Sequence, residues 1–325
     1  MFIGRSDLLR KHLDRFTPAL SRATKGDARA LHRARVASRR LRELLGLLQL
    51  DRDATRKLGR RLRKVTRRLG GVRELDVLLF LIDELNVSRP EHSQALSRVT
   101  VPVAKARDEV RERVFDRLPA EDMRRIGRKL ARLVENLGKA EQAQAGTASN
   151  EEWHWAVETR IALRASRLAA AIVDAGAVYL PDRLHAVRIA LKKLRYAVEL
   201  GNEVAGRKVT AELRTLRRGQ DTLGRLHDLQ VLIDRVREVQ TSLAPASATV
   251  WRSLDLLVTA LENDCRQLHA RYMRQRPRLE TIAARLSAHP QAAQGHSSQV
   301  RSVRRRRQRP VHMLEGRPAR RPIAV

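Results

Sequence analysis

One segment decides the fold of this chain: residues 31–42 read Leu31-His32-Arg33-Ala34-Arg35-Val36-Ala37-Ser38-Arg39-Arg40-Leu41-Arg42. With about 100° of rotation per residue, a helix would divide this segment into two faces of different character. The apolar face continues to residue 48 and consists of Leu31, Ala34, Ala37, Ser38, Leu41, Leu44, Leu45 and Leu48. The opposite face carries His32, Arg35, Arg39 and Arg42. The segment therefore predicts a helix that buries one side and presents a ladder of cations on the other.

The same pattern returns at residues 184–195, which read Leu184-His185-Ala186-Val187-Arg188-Ile189-Ala190-Leu191-Lys192-Lys193-Leu194-Arg195. A second pair of segments matches in nearly the same register. The first is Leu69-Gly70-Gly71-Val72-Arg73-Glu74-Leu75-Asp76-Val77-Leu78, and the second is Leu223-Gly224-Arg225-Leu226-His227-Asp228-Leu229-Gln230-Val231-Leu232. A single His-x-x-Arg would be weak evidence, but two matches in register indicate an internal duplication.

The composition suits a folded chain that meets a polyanion. Of 325 residues 42% are hydrophobic, while 67 Lys and Arg oppose 36 Asp and Glu, for a net charge of +31. Self-repulsion of this size opposes compaction unless a partner of opposite charge is present. The single cysteine, Cys265, excludes an internal disulfide and a thiolate zinc cluster, and it suits a reducing cytosol. With no signal peptide and no apolar run long enough for a span, we expect a cytoplasmic protein without a membrane partner.

The apolar periodicity predicts an all-α fold of two similar helical bundles, because no stretch shows the alternation of a strand. We predict a first bundle over residues 2–137, a linker over 138–150, a second bundle over 151–286 and an Arg- and Pro-rich disordered tail over 287–325. Gly70-Gly71 is predicted to be either a break between helices over 54–69 and 74–85 or a place where two helices approach closely, and further helices are predicted over 209–223 and 226–243.

Enzyme signatures are absent from the sequence. There is no glycine-rich phosphate loop followed by Lys-Ser or Lys-Thr, no His-Glu-x-x-His, and no cluster of acids that could hold Mg²⁺ for phosphoryl transfer. Glu74, Asp76 and Asp228 are each surrounded by Arg or His, so we expect them to orient these cations by ion pairing. We therefore expect no catalytic activity, no cofactor and no metal.

His32 and His185 allow three interpretations: a metal ligand, a structural hydrogen bond, or an anion contact. Cations follow each histidine at the third and seventh positions, and they would repel a metal ion. Recurrence at the matched position also argues against chance. An imidazole flanked by arginines on a helix suits hydrogen bonding to phosphate oxygens, and this is the interpretation we favour.

The kind of polyanion follows from what the basic helices lack. Their cations could form a solvated face, but the helices over 32–42 and 56–68 contain almost no acids that would neutralise them. Aromatic residues make up only 3% of the chain, so base stacking on a single strand is disfavoured. The face around His32 also has no Asn or Gln to read base edges. Such a surface suits duplex nucleic acid bound nonspecifically, or a polymer that is phosphate throughout.

These segments resemble the CHAD domain, the conserved-histidine α-helical domain. The resemblance covers residues 2–286 and implies two pseudo-symmetric four-helix bundles whose basic helices line a central groove or pore. It further implies that the groove binds inorganic polyphosphate, often at polyphosphate granules in bacteria. The usual Arg-Asp of the family after the Leu-Gly pair appears here as Arg73-Glu74 and His227-Asp228.

Carried over position by position, the polyphosphate-binding residues would be His32, Arg35, Arg39, Arg40, Arg42, His185, Arg188, Lys192, Lys193 and Arg195. Basic helices elsewhere would complete the lining with Arg60, Arg63, Lys64, Arg214, Arg217 and Arg218. We predict a noncatalytic polyphosphate-binding protein. The alternative is a nonspecific DNA- or RNA-binding protein that uses these helices and the Arg-rich tail. A scaffolding role beside phosphate-metabolising enzymes is compatible with the first prediction.

Overall fold

The structure, a computed structural model, describes residues 4–23, 27–48, 52–116, 120–143, 147–206, 210–243 and 248–307. Within these ranges the chain forms nine α-helices and one short 3₁₀ helix, and no strand, which confirms the predicted all-α class. The helices are α1 (Arg5–Ala23), α2 (Ala28–Leu45), α3 (Arg52–Ser88), α4 (Ser93–Asp116), α5 (Ala120–Ala143), α6 (Thr147–Ala175), α7 (Pro181–Val204), α8 (Ala211–Thr241) and α9 (Ala248–Arg307). None of the described helices is long and apolar enough to cross a membrane.

The helices that carry the two ladders begin at recognisable signals. The carboxylate of Asp27 accepts a hydrogen bond from the backbone N–H of Ala30 at 2.9 Å, and this cap starts α2. Helix α7 begins with Pro181 in its first turn, where the missing backbone N–H costs nothing. Both ladders therefore lie on helices, with their apolar sides buried, as predicted.

Three apolar cores, rather than two, hold the helices together. The first lies among α1, α2, the first half of α3 and α5, and it also includes residues from the end of α4, the start of α6 and the end of α7. The third lies among α6, α7, the first half of α8 and the second part of α9. The middle core is shared between the halves of the chain: the second half of α3 and α4 pack there against the second half of α8 and the first part of α9. The duplication itself stays a prediction.

A break at the glycines is wrong, because α3 and α8 run without interruption through Gly70-Gly71 and Gly224, and the other alternative at Gly70-Gly71, a close approach of two helices, agrees with the packing at Gly71. A glycine inside a helix costs only about 1 kcal/mol. Continuity gains more, since α3 and α8 each join an outer core to the middle one. At Gly71 the missing side chain also permits close packing, because a Cβ there would lie 3.3 Å from Cγ1 of Val110 on α4.

The structure also differs from the predicted boundaries at the linker and the tail. Helices α5 and α6 occupy most of residues 138–150, and only 144–146 fall between them, outside the described residues. Helix α9 continues from the third core to Arg307, through the first part of the segment predicted to be disordered. A helix that is already formed extends without a new nucleation cost, and this outweighs Pro290 and Gly295, which disfavour a helix interior. The rest of the predicted tail, 308–325, lies outside the described residues.

Candidate anion-binding site

The cationic faces of α2 and α7 meet across the two halves of the chain. Arg39 and Arg188 lie close enough that the charge of Arg39 helps to lower the pKa of Arg188. Burial is the largest cause that lowers the pKa of Lys192, and the charges of Arg39, Arg188 and Arg35 are the next largest. The fold thus brings together two ladders that are far apart in the sequence.

These four side chains are half-buried and make no direct ion pair with a described residue. Burial, followed by the repulsion of Arg39, lowers the pKa of Arg35 to about 10, and burial and the neighbouring cations lower the pKa of Lys192 to about 7. No described carboxylate forms an ion pair with Arg35, Arg39, Arg188 or Lys192. Nε of Arg35 is buried without a hydrogen-bond partner among the described residues.

Helices α3 and α8 add two cationic or basic groups, Arg73 and His227. The side chain of His32 reaches solvent, but the protein atoms around it remove part of its hydration. This desolvation first, and then the charge of Arg73, lowers the pKa of His32. Nδ1 of His227 lies 3.3 Å from Nδ1 of His185. Burial, Arg188 and His185 lower the pKa of His227 to about 4.

Eight residues make up what we call the cationic cluster: His32, Arg35, Arg39, Arg73, His185, Arg188, Lys192 and His227. Arg73 and His227 are not among the residues that the sequence predicts for the site. Their signal was the second pair of matching segments, in which Arg73 and His227 stand one position before an acid. A central groove or pore at this place stays a prediction.

Of the three carboxylates beside the cluster, Asp76 and Asp228 are half-buried and Glu74 is exposed, and none makes a direct ion pair with a described residue. Burial raises the pKa of Asp76 and of Asp228, and the nearby charges of Arg73 and Arg188 only partly oppose this. Oδ2 of Asp76 is buried without a hydrogen-bond partner among the described residues. The predicted ion pairing of these acids is therefore reduced to attraction at longer range.

Three predicted binding residues lie instead around one buried carboxylate, that of Glu199 on α7, whose side chain is 8% exposed. Glu199 accepts hydrogen bonds from Arg40 at 3.2 Å, from Arg217 at 3.0 Å and from Arg195. Arg40 also donates to Glu203 at 3.0 Å. These arginines are thus already paired inside the protein, and the contacts of Arg40 tie α2 to α7.

The remaining predicted residues extend the basic surface outward from the cluster. Burial and then the charge of Arg63 on α3 lower the pKa of Arg42, so α2 and α3 continue the run of cations. The other predicted members of the lining are exposed: Arg60, Lys64, Lys193, Arg214 and Arg218. No group of three or more His, Cys, Asp or Glu side chains that could hold a metal ion occurs in the described ranges.

The fold and the site together define a class of protein. It is all-helical and holds a cluster of half-buried cations between two similar helices. The CHAD domain profile matches residues 7–237, and the chain belongs to the CHAD domain family. The CHAD domain is of a noncatalytic type, and some members of the family bind polyphosphate.

Solved structures show the same fold at low sequence identity. The CHAD domain from the plant Ricinus communis is 21% identical, with a TM-score of 0.55 over 83% of this chain and 91% of that one. PptA from Streptomyces chartreusis is 20% identical, with a TM-score of 0.59 over 83% of this chain and 97% of that one. No curated protein matches this chain.

Proposed function

We propose that this protein binds inorganic polyphosphate, without catalysis, at the cationic cluster. One observation carries the proposal: Arg35, Arg39, Arg188 and Lys192 are brought together, half-buried, and none of them forms an ion pair with a described carboxylate. Membership of a family in which some proteins bind polyphosphate supports it.

The charges of the cluster explain how binding would gain free energy. Half-buried cations that repel one another are stabilised when phosphates come between them, and the condensed counterions of both partners are released. Arginine can donate two parallel hydrogen bonds to phosphate oxygens, while lysine supplies a point charge. The cations lie on helices packed against two cores, so little conformational freedom remains to be lost on binding.

The surroundings of the cluster favour a polymer of phosphates over a nucleic acid. Tyr196 is the aromatic residue next to the cluster, and Arg195 lies over its ring with the guanidinium carbon 4.5 Å from the centroid. A ring covered in this way offers no platform on which a base could stack. The cations themselves can contact the phosphates of any polymer, and without Asn or Gln beside them they would discriminate polymers mainly by charge density.

Competition between long-chain polyphosphate and duplex DNA tests the proposal. We would compare the intact protein, a chain that ends at Leu286, Arg39→Gln/Lys192→Gln, and the charge-matched control Lys105→Gln/Arg252→Gln, whose exposed cations lie on α4 and α9. We expect polyphosphate to compete better than DNA and to bind the shortened chain as before. The double variant in the cluster should lose at least about tenfold in affinity, or about 1.4 kcal/mol, and the control should lose less.

The same comparison contains the outcome that would overturn the proposal. If DNA competes equally and binding is lost with residues 287–325, the protein is the nonspecific nucleic-acid binder of the alternative prediction. Association with polyphosphate granules and with phosphate-metabolising enzymes rests on polyphosphate binding. It is tested by imaging the tagged double variant beside the tagged intact protein in cells that store polyphosphate.

A further inference from the structure

A second group of cations lies where α3 meets α5, away from the cluster between α2 and α7. It consists of Lys57 and Arg61 on α3 and of Arg125, Lys129 and Arg132 on α5, which we call the outer surface. All five are exposed except Arg61, which is partly buried. They lie close together, as the pKa of Lys129 shows. The charge of Arg61 is the largest cause that lowers this pKa, followed by burial and then by the charges of Arg125 and Lys57.

The cations of the outer surface lack direct ion-pair partners in the part of the chain that the structure describes. None of the five forms an ion pair with a described carboxylate. Other cations of α5 differ in this respect, because Arg124 and Arg128 pair with Glu121 at 3.4 and 2.6 Å. An ordinary solvated helix face carries interleaved acids of this kind.

Helix packing does not require such a surface. At the junction of α8 and α9 in the other half of the chain, Arg285 is paired with Glu212 at 2.6 Å. A long helix packed against its neighbour can therefore keep its cations neutralised in this fold. The uncompensated charge at α3 and α5 calls for another explanation, and a polyanion from solution would supply the missing counter-charge.

The exposed face of α3 connects the outer surface with the cationic cluster. Its buried stripe is Leu58, Leu62, Val65 and Leu69. The cations on the rest of the helix surface are Arg56, Lys57, Arg60, Arg61, Arg63, Lys64, Arg67 and Arg68. Arg63 lies beside Arg42 on the side of α3 that faces α2, and Arg61 lies beside Lys129 on the side that faces α5. A helix with its side chains is about 10 Å across, so the path around the exposed side of α3 is on the order of 15 Å.

We propose that the outer surface is a second polyphosphate-binding site, occupied only by chains long enough to extend from the cationic cluster across α3. The inference rests on the proposed function and adds a preference for long chains to it. A short chain fills the cluster alone. A long chain binds both sites at once, and the second contact is intramolecular, which raises the affinity without any change at the cluster.

The test measures the binding of tripolyphosphate and of long-chain polyphosphate to the intact protein, to an outer-surface variant and to a matched control. The outer-surface variant is Lys57→Gln/Arg61→Gln/Lys129→Gln/Arg132→Gln. The matched control, Arg98→Gln/Lys105→Gln/Arg252→Gln/Arg274→Gln, removes the same charge from exposed positions dispersed over α4 and α9. We expect the outer-surface variant to lose about tenfold or more in affinity for the long chain relative to the control, and to bind tripolyphosphate as the control does.

The outcomes separate this inference from the proposed function. If both variants lose long-chain affinity equally, the outer surface acts only through net charge and the inference is wrong. If the outer-surface variant loses duplex DNA binding but keeps long-chain polyphosphate, the surface is a nucleic-acid site and the inference is equally wrong. The cluster variant Arg39→Gln/Lys192→Gln reports on the proposed function alone, because it should lose tripolyphosphate as well as the long chain.

Discussion

Nδ1 of His185 on α7 lies 3.3 Å from Nδ1 of His227 on α8, and the two rings are tilted by 50° with their centroids 4.5 Å apart. Two N–H groups cannot point at each other across this distance, so at least one of the rings is neutral at Nδ1. Burial lowers the pKa of both histidines, and Arg188 and Lys192 lower it further. Burial and the cations of the site thus favour the deprotonated forms of His185 and His227.

The groups that face His185 come from two more directions. Asp182 in the first turn of α7 and Glu74 on α3 raise its pKa, though less than burial, Arg188 and Lys192 lower it. The carboxylate of Asp228, next to His227 in the sequence, is half-buried and has a raised pKa of its own. A bound polyanion reverses this balance, because it favours the protonated forms of both histidines and of Lys192.

We therefore expect polyphosphate binding to take up protons near neutral pH. Lys192 has a pKa of about 7 in the free protein, so below pH 7 it already carries its proton. Above pH 7 the proton must be taken up on binding, and affinity should fall as the pH rises. Calorimetry of long-chain polyphosphate binding at pH 8, in buffers of different ionisation enthalpy, measures the uptake. Lys192→Gln should reduce it, and equal heats in all buffers for the intact protein would contradict the expectation.

Lys192→Met should make the ligand-free protein more stable. The folded-state pKa of Lys192, about 7, lies below its ordinary value of 10.5, so the unfolded state binds more protons between these two values. In that window the unpaired lysine costs stability, and the cost grows as the pH falls towards 7. We expect urea denaturation at pH 8 to show a gain of about 2 kcal/mol in the free energy of unfolding, together with weaker polyphosphate binding.

Lys193, the neighbouring exposed lysine, provides the control for the expected gain in stability and loss of polyphosphate affinity. Lys193→Met should change the free energy of unfolding by no more than about 0.5 kcal/mol. A Lys192→Met protein that is less stable than the intact one would show that the lysine is compensated in the free state. The cationic cluster would then not be strained before its ligand arrives.

Glu199→Gln should destabilise the fold, because Glu199 holds Arg40, Arg195 and Arg217. Removing one partner of a buried ion pair leaves the other charge uncompensated, and this costs about 3 kcal/mol or more. Glu121→Gln breaks the exposed pairs with Arg124 and Arg128 and should cost less than about 1 kcal/mol. Equal loss in the two variants, measured by urea denaturation, would mean that the Glu199 network is no more than a surface feature.

The ladders of α2 and α7 could be predicted from the sequence because helical periodicity is a local property. The apolar residues that repeat around Leu41 and Leu191 fix which side of each helix is buried, and the cations then fall on the other side. No contact between distant segments is needed for this step. The same holds for the start of α2, since the cap at Asp27 is formed within one turn.

The partners of the cations could not be predicted, because they depend on how α2, α7 and α8 approach one another. Glu199 follows Arg195 by one helical turn, which is a visible signal for one ion pair. Its contacts with Arg40 and Arg217 come from other helices and leave no trace in the local pattern. The resemblance to the family and the basic character of α8 therefore assigned to the ligand three arginines that the structure pairs with Glu199.

Gly219 on α8 should tolerate no side chain, because three helices converge on it. A Cβ there would lie 3.1 Å from Cδ1 of Leu279 on α9 and 3.2 Å from Cδ2 of Leu191 on α7, and both leucines are fully buried. We expect Gly219→Ala to lower the free energy of unfolding by about 1–3 kcal/mol through overpacking. Gly127→Ala on α5, where a Cβ meets nothing within 4 Å, should instead raise it by about 0.5–1 kcal/mol. If both variants gained stability in urea denaturation, α7 and α9 would pack less closely on α8. The ladder on α7 would then be less rigidly held than the cluster requires.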